Sequence, residues 1–387
     1  MRILTILTYY RPHISGLTIY AERLAVALAK RGHQVTVLTS QISPDLPREE
    51  VMEGVRVVRT PVLFKLSKGF VMPGFGKLAS RLIDENDVLL LHLPQFEAAQ
   101  PALIARRKRK PVVITYHCDL QMPRGLISQT ANMGVNLMNG IAGRAANRIV
   151  TYTRDYADHS RYLLKFPEKV QIIPPPVELP AASREEIQAF DAKHNPEQRR
   201  PVIGMVARFA SEKGVEVLLN ALPAILEKHP RALVEFVGPY LNITGEERYY
   251  DRLKPQIDRY VASGNWHFTG SLSPRELAAY YPNLAVHILP SLNSTEAFGL
   301  VQIEAMMNGV PCVTSNLPGV RQPVKVHGMG RIFEIGDSHG LASAVLDVLS
   351  QHDSYSASKT GEFDQYNPDS TAEAYEMLFA GIYPENH

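Results

Sequence analysis

The 387-residue sequence predicts an α/β chain of two doubly wound domains, each a largely parallel sheet layered with helices. Three observations lead there. The length exceeds one ordinary hydrophobic core and suits two. Short, nearly continuous Val/Ile/Leu runs alternate with helix-period segments, the pattern of βαβ units whose strands are buried on both faces. The alternation also stops at Pro174-Pro175-Pro176, crosses a polar stretch from Ala181 to Arg200, and then restarts.

Taken in order, Arg2–Thr8 reads as the first strand. Leu17, Ala21, Leu24, Ala25 and Leu28 follow at helical spacing, and Gly32 ends that helix. Gln34–Thr39, Val55–Thr60, Asp87–Leu93, Pro111–Tyr116 and Arg148–Thr151 read as further strands. Beyond the prolines, strands are expected at Val202–Ala207, Ala232–Val237, Trp266–Gly270, Ala285–Leu289 and Pro311–Thr314. Helices are expected at Gly214–Lys228, around Glu246–Val261, at Pro274–Tyr281, near Gly299–Asn308, and at Leu341–Leu349. A last helical pattern, with Ala374, Met377 and Leu378, covers Ser370–Tyr383. The second half is another βα domain and not a sequence repeat of the first.

Composition narrows the class. Hydrophobic residues make up 45% and charged residues 21%, which is the balance of a soluble globular protein and excludes a disordered chain. No apolar run approaches the roughly 20 residues of a membrane-spanning helix. The apolar start, Met1–Leu7, is short and is followed by Tyr9, Tyr10, Arg11 and Pro12, so it reads as a buried strand and not as a leader. Cys118 and Cys312 fall in different domains, so no disulfide framework is expected and a cytoplasmic location fits. No Cys/His cluster has metal-ligand spacing. The net charge of +2 hides an asymmetry: residues 1–178 carry 24 Lys+Arg against 14 Asp+Glu, and the remainder 17 against 25. A basic half beside an acidic one suggests that the first faces an anion or an anionic surface, although scattered solvated side chains would also give a split.

Four segments could carry chemistry. Ser294-Thr295-Glu296-Ala297-Phe298-Gly299-Leu300 through Glu304 follows the strand ending at Leu289, at the edge where open α/β sheets bind ligands. Gly299 permits close approach, the next helix offers free N–H groups to phosphate, and Glu304 in a largely apolar helix suits a ribose diol. The plain alternative makes Glu296 a cap and puts Glu304 on the wet side. Arg208 and Lys213 follow the strand Val202–Ala207, with Lys213 where a helix begins; a cation there is disfavoured by about 0.3–1 kcal/mol unless an anion such as diphosphate accompanies it, and two solvated loop cations are an equal alternative. Ser15-Gly16-Leu17 is a small loop after the first strand. His117 sits at the end of the strand Pro111–Tyr116, placed to touch a sugar or simply packed and hydrogen-bonded.

In this order, these residues resemble family 4 of the retaining glycosyltransferases, and the resemblance spans essentially the whole chain. Glu296 and Glu304, with seven residues between them, match that family's paired-glutamate motif. Arg208 and Lys213 match its basic pair, Gly16 its glycine loop, and His117 its sugar-side histidine. The resemblance implies the GT-B fold, two facing Rossmann-like domains with a cleft between them. Residues 1–178 plus 370–387 would form the acceptor-binding domain and 179–369 the nucleotide-sugar domain. It further implies that Glu304 holds the ribose hydroxyls and that Arg208 and Lys213 bind the diphosphate. Glu296 would face the sugar, Phe298, Gly299 and Leu300 would present backbone amides, and no metal or other cofactor would be needed. Two departures stand out: Leu17 replaces a second glycine, and Gly238-Pro239-Tyr240-Leu241 replaces a glycine-rich turn.

The function so implied is transfer of a hexose-type sugar, with retention, from a UDP- or GDP-linked donor to a carbohydrate or lipid-linked acceptor in cell-surface glycan or glycolipid synthesis. Leu63–Met72, with Lys65 and Lys68 among apolar residues, and the run Arg106–Lys110 both lie in the basic half, so an anionic membrane surface is a further expected partner and nucleic acid is not. A disaccharide-phosphate synthase or sugar-nucleotide epimerase of the same fold, and a non-catalytic sugar-nucleotide-binding module, are the competing functions. A dehydrogenase is disfavoured further by Thr8-Tyr9-Tyr10-Arg11-Pro12 where a Gly-x-Gly-x-x-Gly would stand.

Overall fold

A computed structural model describes residues 1–66, 69–121, 126–356 and 363–383. The chain forms two compact units, one joining Met1–Val177 to the C-terminal segment from Asp364, the other Glu178–Phe363.

Among the described residues the first unit contains the strands β1 (Arg2–Ile6), β2 (Gln34–Gln41), β3 (Glu49–Met52), β4 (Val55–Pro61), β5 (Phe64–Leu66), β6 (Gly69–Val71), β7 (Val88–Leu93), β8 (Val112–Tyr116), β9 (Arg148–Thr151) and β10 (Val170–Ile172). Eight of them make one sheet in the order β10-β9-β8-β7-β1-β2-β4-β3. All its pairs are parallel except β3 with β4. Every residue of β7 and β8 is buried, which is why these strands read as nearly continuous apolar runs. The chain runs from β1 to β2 on one side and later to β7 on the other, so the order reverses between β1 and β7.

The helix Pro368–Ala380 packs on the helix Gly16–Lys30. The Tyr20 and Tyr375 hydroxyls lie 3.0 Å apart, and the Tyr375 hydroxyl is 2.7 Å from Thr115 Oγ1, so these buried polar groups satisfy one another. At the surface Arg31 bonds Glu376 at 2.7 Å and Asp369 at 2.9 Å.

The second unit contains β11 (Val202–Val206), β12 (Leu233–Val237), β13 (Trp266–Gly270), β14 (Val286–Leu289), β15 (Cys312–Ser315) and β16 (Gly330–Phe333). Its all-parallel sheet runs β13-β12-β11-β14-β15-β16, the 3-2-1-4-5-6 order of a Rossmann domain. Ile203, Met205, Val234 and Phe236 from the sheet join Leu218, Leu222 and Ile225 of the helix Val215–Lys228, and Val345 of the helix Ser338–Ser350, in one core. Neither cysteine is in a disulfide, Cys118 lying in the first unit and Cys312 in the second. No helix among the described residues is long and apolar enough to cross a membrane.

Some elements depart from the sequence reading. The polar stretch from Ala181 to Arg200 contains a helix, Arg184–His194, started by a Ser183/Glu186 capping box and anchored by Phe190. A helix with so little apolar surface leaves no periodic trace. Part of Leu63–Met72 is an antiparallel hairpin, β5 with β6, in which Phe64 is exposed; Lys68 lies outside the described residues. At the sheet rims, β3, β10 and β16 are short and partly exposed, so their sequences lack the buried-strand signature.

Candidate active site

The order of the second unit's sheet reverses between β11 and β14, and the loops leaving those two strands carry Arg208, Lys213, Glu296, Phe298 and Gly299 and bring Lys213 to Glu296. Gly214 adopts φ +71°, and a Cβ there would lie 2.0 Å from the Pro290 carbonyl oxygen. Only glycine lets the β11 loop press so closely on the exit of β14. That approach sets Lys213 Nζ 2.6 Å from Glu296 Oε2, across 83 residues of sequence, with both side chains about four-fifths buried. Lys213 ends a 3-10 turn, Ser211–Lys213, one glycine before the helix Val215–Lys228, and so it does not open that helix itself. Arg208 reaches back to the Glu212 carboxylate. The turn is tied down by Glu246, which accepts from the Ser211 N–H at 2.9 Å, and by the Leu292 N–H, which donates to the Glu212 carbonyl at 2.8 Å.

Gly299, at φ +78°, precedes the helix Leu300–Met307 and supplies no side-chain cap. The first N–H groups of that helix are therefore left to backbone, water or a ligand. Gln302 braces the turn, donating from Nε2 to the Phe298 and Val320 carbonyls at 2.9 Å each. Glu304 is on the buried side of the helix, not the wet side, at 6% exposure, and its Oε2 accepts from the Tyr281 hydroxyl at 3.0 Å. Phe298 is buried as well.

Gly16 and His117 belong to the first unit. Gly16 opens the helix Gly16–Lys30 behind a Ser15/Thr18 capping box, and a Cβ on it would meet no atom within 4 Å. Neither backbone nor packing requires glycine there. His117 is buried, with Nδ1 bonded to the Tyr152 hydroxyl and Nε2 2.8 Å from His92 Nδ1. Burial first, and the neighbouring His92 second, hold it well below the usual imidazole range, so the pair is neutral. As placed, His117 is a packed histidine with both ring nitrogens engaged inside its unit.

Sequence reasoning passed over a polar cluster where this sheet's order reverses. The Thr8 hydroxyl, after β1, lies 3.3 Å from Glu97 Oε2 and 3.5 Å from Gln95 Oε1, both after β7. Glu97 Oε1 and Gln95 Nε2 are buried without a hydrogen-bond partner. Burial raises the Glu97 carboxyl above the usual range. The available signal was Gln95 and Glu97, polar residues just past the end of β7. Among the described residues no group of three or more His, Cys, Asp and Glu side chains is arranged to hold a metal ion.

Residues 14–180 match the family described as Glycosyltransferase Family 4, and residues 186–362 match Glycosyl transferases group 1. Glycogen synthase of Mycobacterium tuberculosis is 29% identical over 376 residues, covering 90% of this chain and 86% of that protein. Alpha-monoglucosyldiacylglycerol synthase of Streptococcus pneumoniae is 26% identical over 366 residues, covering 90% and 78%. Among solved structures, Anabaena Alr3699/HepE in complex with UDP-glucose has a TM-score of 0.78 at 17% identity, covering 99% of this chain and 100% of that one, a likeness of fold. With both halves matched and the fold shared, the chain belongs to the GT-B glycosyltransferases of the group 1 and family 4 type.

Proposed function

We propose that the protein is a retaining hexosyltransferase that uses a UDP- or GDP-linked sugar and acts in cell-surface glycan or glycolipid synthesis. The observation that carries this is the 2.6 Å pair of Lys213 and Glu296, with Arg208 on the same β11 exit and an uncapped helix N-terminus on the same β14 exit of the second unit. A diphosphate fits that set: two cations, backbone N–H groups from Phe298, Gly299 and Leu300, and a helix dipole of matching sign. Glu304 would accept from the ribose hydroxyls, and Glu296 would face the sugar. Because each cation already carries a carboxylate, Glu212 or Glu296, the donor must join or displace those partners.

Transfer would break the bond from the sugar C1 to the phosphate oxygen and form a bond from C1 to the acceptor oxygen on the same face. The acceptor hydroxyl's proton would go to the departing phosphate. Arg208 and Lys213 would stabilise the charge growing on that phosphate, work that a metal does in other sites, so activity is expected to persist in EDTA. In the first unit, Thr8, Gln95 and Glu97 present acceptor-type oxygens and an orphan amide, a lining for hydroxyl groups and not for an anion. Gly16 leaves open space for close approach, and His117 would act by holding β8's end through Tyr152 and His92. The name of the Streptococcus relative, which places sugar on a diacylglycerol, and the basic charge of residues 1–178 favour a lipid-linked acceptor met at an anionic, cytoplasmic membrane face.

A thermal-shift screen of nucleotide sugars should single out one UDP- or GDP-linked donor. With that donor, Lys213→Ala and Arg208→Ala should each cut turnover about 100-fold or more while weakening donor binding less. Wild-type turnover in both variants would end the electrostatic assignment.

A further inference from the structure

A concentration of positive charge lies at the other edge of the first unit's sheet, among the loops that lead into β8, β9 and β10. A cavity of about 460 Å³ is lined there by Arg106, Arg109, Lys110, Arg144, Lys169 and Ile382, with no acidic residue in the lining. Two of these cations have a structural task. Lys169 Nζ donates to the carbonyls of Gly143, Arg144 and Ala146 at 3.1, 3.0 and 2.8 Å, and Arg106 Nη1 to that of Arg144 at 3.3 Å. They satisfy the carbonyl end of the helix Leu126–Ala145, where cations are favoured.

The other three have no such task. The side chains of Arg109, Lys110 and Arg144 make no hydrogen bond or ion pair with any described residue. Two acidic groups of the described residues that act on these cations are committed or solvated: Asp87, near Lys110, is bonded to Arg2 at 2.7 Å, and Glu168 is exposed beside Lys169. Arg109 adds an independent sign. It has φ +57° just past the cap of the helix Ala99–Arg107, where its own N–H donates to the Arg106 carbonyl at 3.1 Å and that of Lys110 to the Ala105 carbonyl at 2.9 Å. Glycine is the ordinary residue at such a helix exit, and an L side chain costs more there than elsewhere. The sequence accepts that strain and places a guanidinium on the cavity wall.

We propose that this cavity binds a phosphate group, as a phosphate mono- or diester. Phosphate is the common anion whose oxygens match forked arginine donors at this charge density. The volume exceeds one phosphate and leaves room for the alcohol it esterifies, with Ile382 as an apolar contact. The site is built from the first unit, whereas Arg208 and Lys213 belong to the second, and it does not rest on the sugar-transfer reading.

The full chain is titrated with glycerol 3-phosphate by calorimetry and sedimented with phosphatidylcholine vesicles with and without phosphatidic acid. Arg109→Gly relieves the backbone, so this variant should melt no lower than the parent while binding the phosphate probe roughly 10-fold more weakly; adding Arg144→Gln should bring the loss to roughly 100-fold. Lys213→Ala should leave this binding intact. Loss of glycerol phosphate binding alone identifies a soluble phosphate ester, and loss of vesicle retention identifies a lipid headgroup; either supports the site. Parent-like binding of both probes by the double variant, no binding of either probe by the parent, or abolition by Lys213→Ala would overturn it.

Discussion

At the scale of single residues, charge is placed by partners that lie far apart in the chain. Lys213 meets Glu296 and Glu304 sits under the Tyr281 hydroxyl, whereas Arg208 finds Glu212 only four residues on. A carboxylate held at 6% exposure beside a glycine turn is costly to keep unless it serves a ligand or a network. Glu304→Gln keeps the shape and an acceptor for Tyr281 but removes the charge. It should weaken nucleotide-sugar binding by about 1.5–3 kcal/mol, roughly 10- to 150-fold, with little change in melting temperature. Calorimetric titration reads this directly; an unchanged affinity would take Glu304 out of the donor site. His117 shows the opposite case, a residue whose type suggests chemistry and whose surroundings make it a neutral member of a buried His92–His117–Tyr152 chain.

At the scale of elements, β12 carries an anomaly. Glu235 is buried in mid-strand, and burial first, with Asp191 adding to it, pushes its carboxyl up to about 7 from 4.5, Arg200 acting the other way. The folded state thus keeps a proton that the unfolded chain releases between about pH 4.5 and 7. Stability should be undiminished by this group below that window and fall as pH rises through it, by on the order of 3 kcal/mol. Glu235→Gln should therefore match the parent near pH 4 and exceed it at pH 8. Denaturation followed by the fluorescence of Trp266, the single tryptophan, on the neighbouring β13, gives the comparison. Parallel stability curves for parent and variant across that range would contradict the assignment.

For the whole molecule, the consequential feature is that the chain's end belongs to its beginning. Thr371, Ala372, Tyr375 and Phe379 are buried, and Tyr375 completes the hydrogen bonds of Tyr20 and Thr115. A chain ending at Phe363 would expose that surface on the first unit. The lost burial of Tyr366, Tyr375 and Phe379 alone should cost it roughly 5–8 kcal/mol. The second unit keeps its own core, so Trp266 should report a melting transition close to that of the intact chain, while circular dichroism shows early loss of the remainder. A shift of the Trp266 transition equal to the overall shift would mean that the two units unfold as one.

What the sequence determined by itself is what leaves a local trace. Strands such as β7, β8 and β11 are sheathed on both faces, so their composition alone declares them, and a GT-B glycosyltransferase was legible once Arg208, Lys213, Glu296 and Glu304 appeared at strand exits in the right order. Elements with one wet face, such as the helix Arg184–His194 and the hairpin of β5 and β6, left too little apolar pattern to read. Only the tertiary structure decided which side chains meet: Lys213 with Glu296, Thr8 with Glu97, His117 with His92, and the ring of cations around Arg109. Periodicity along a chain records which face of an element is turned from water, because burial acts on each residue where it stands. The identity of the covering partner depends on sheet order and on approaches such as Gly214 against Pro290, and these are properties of the packed chain that no short window of sequence contains.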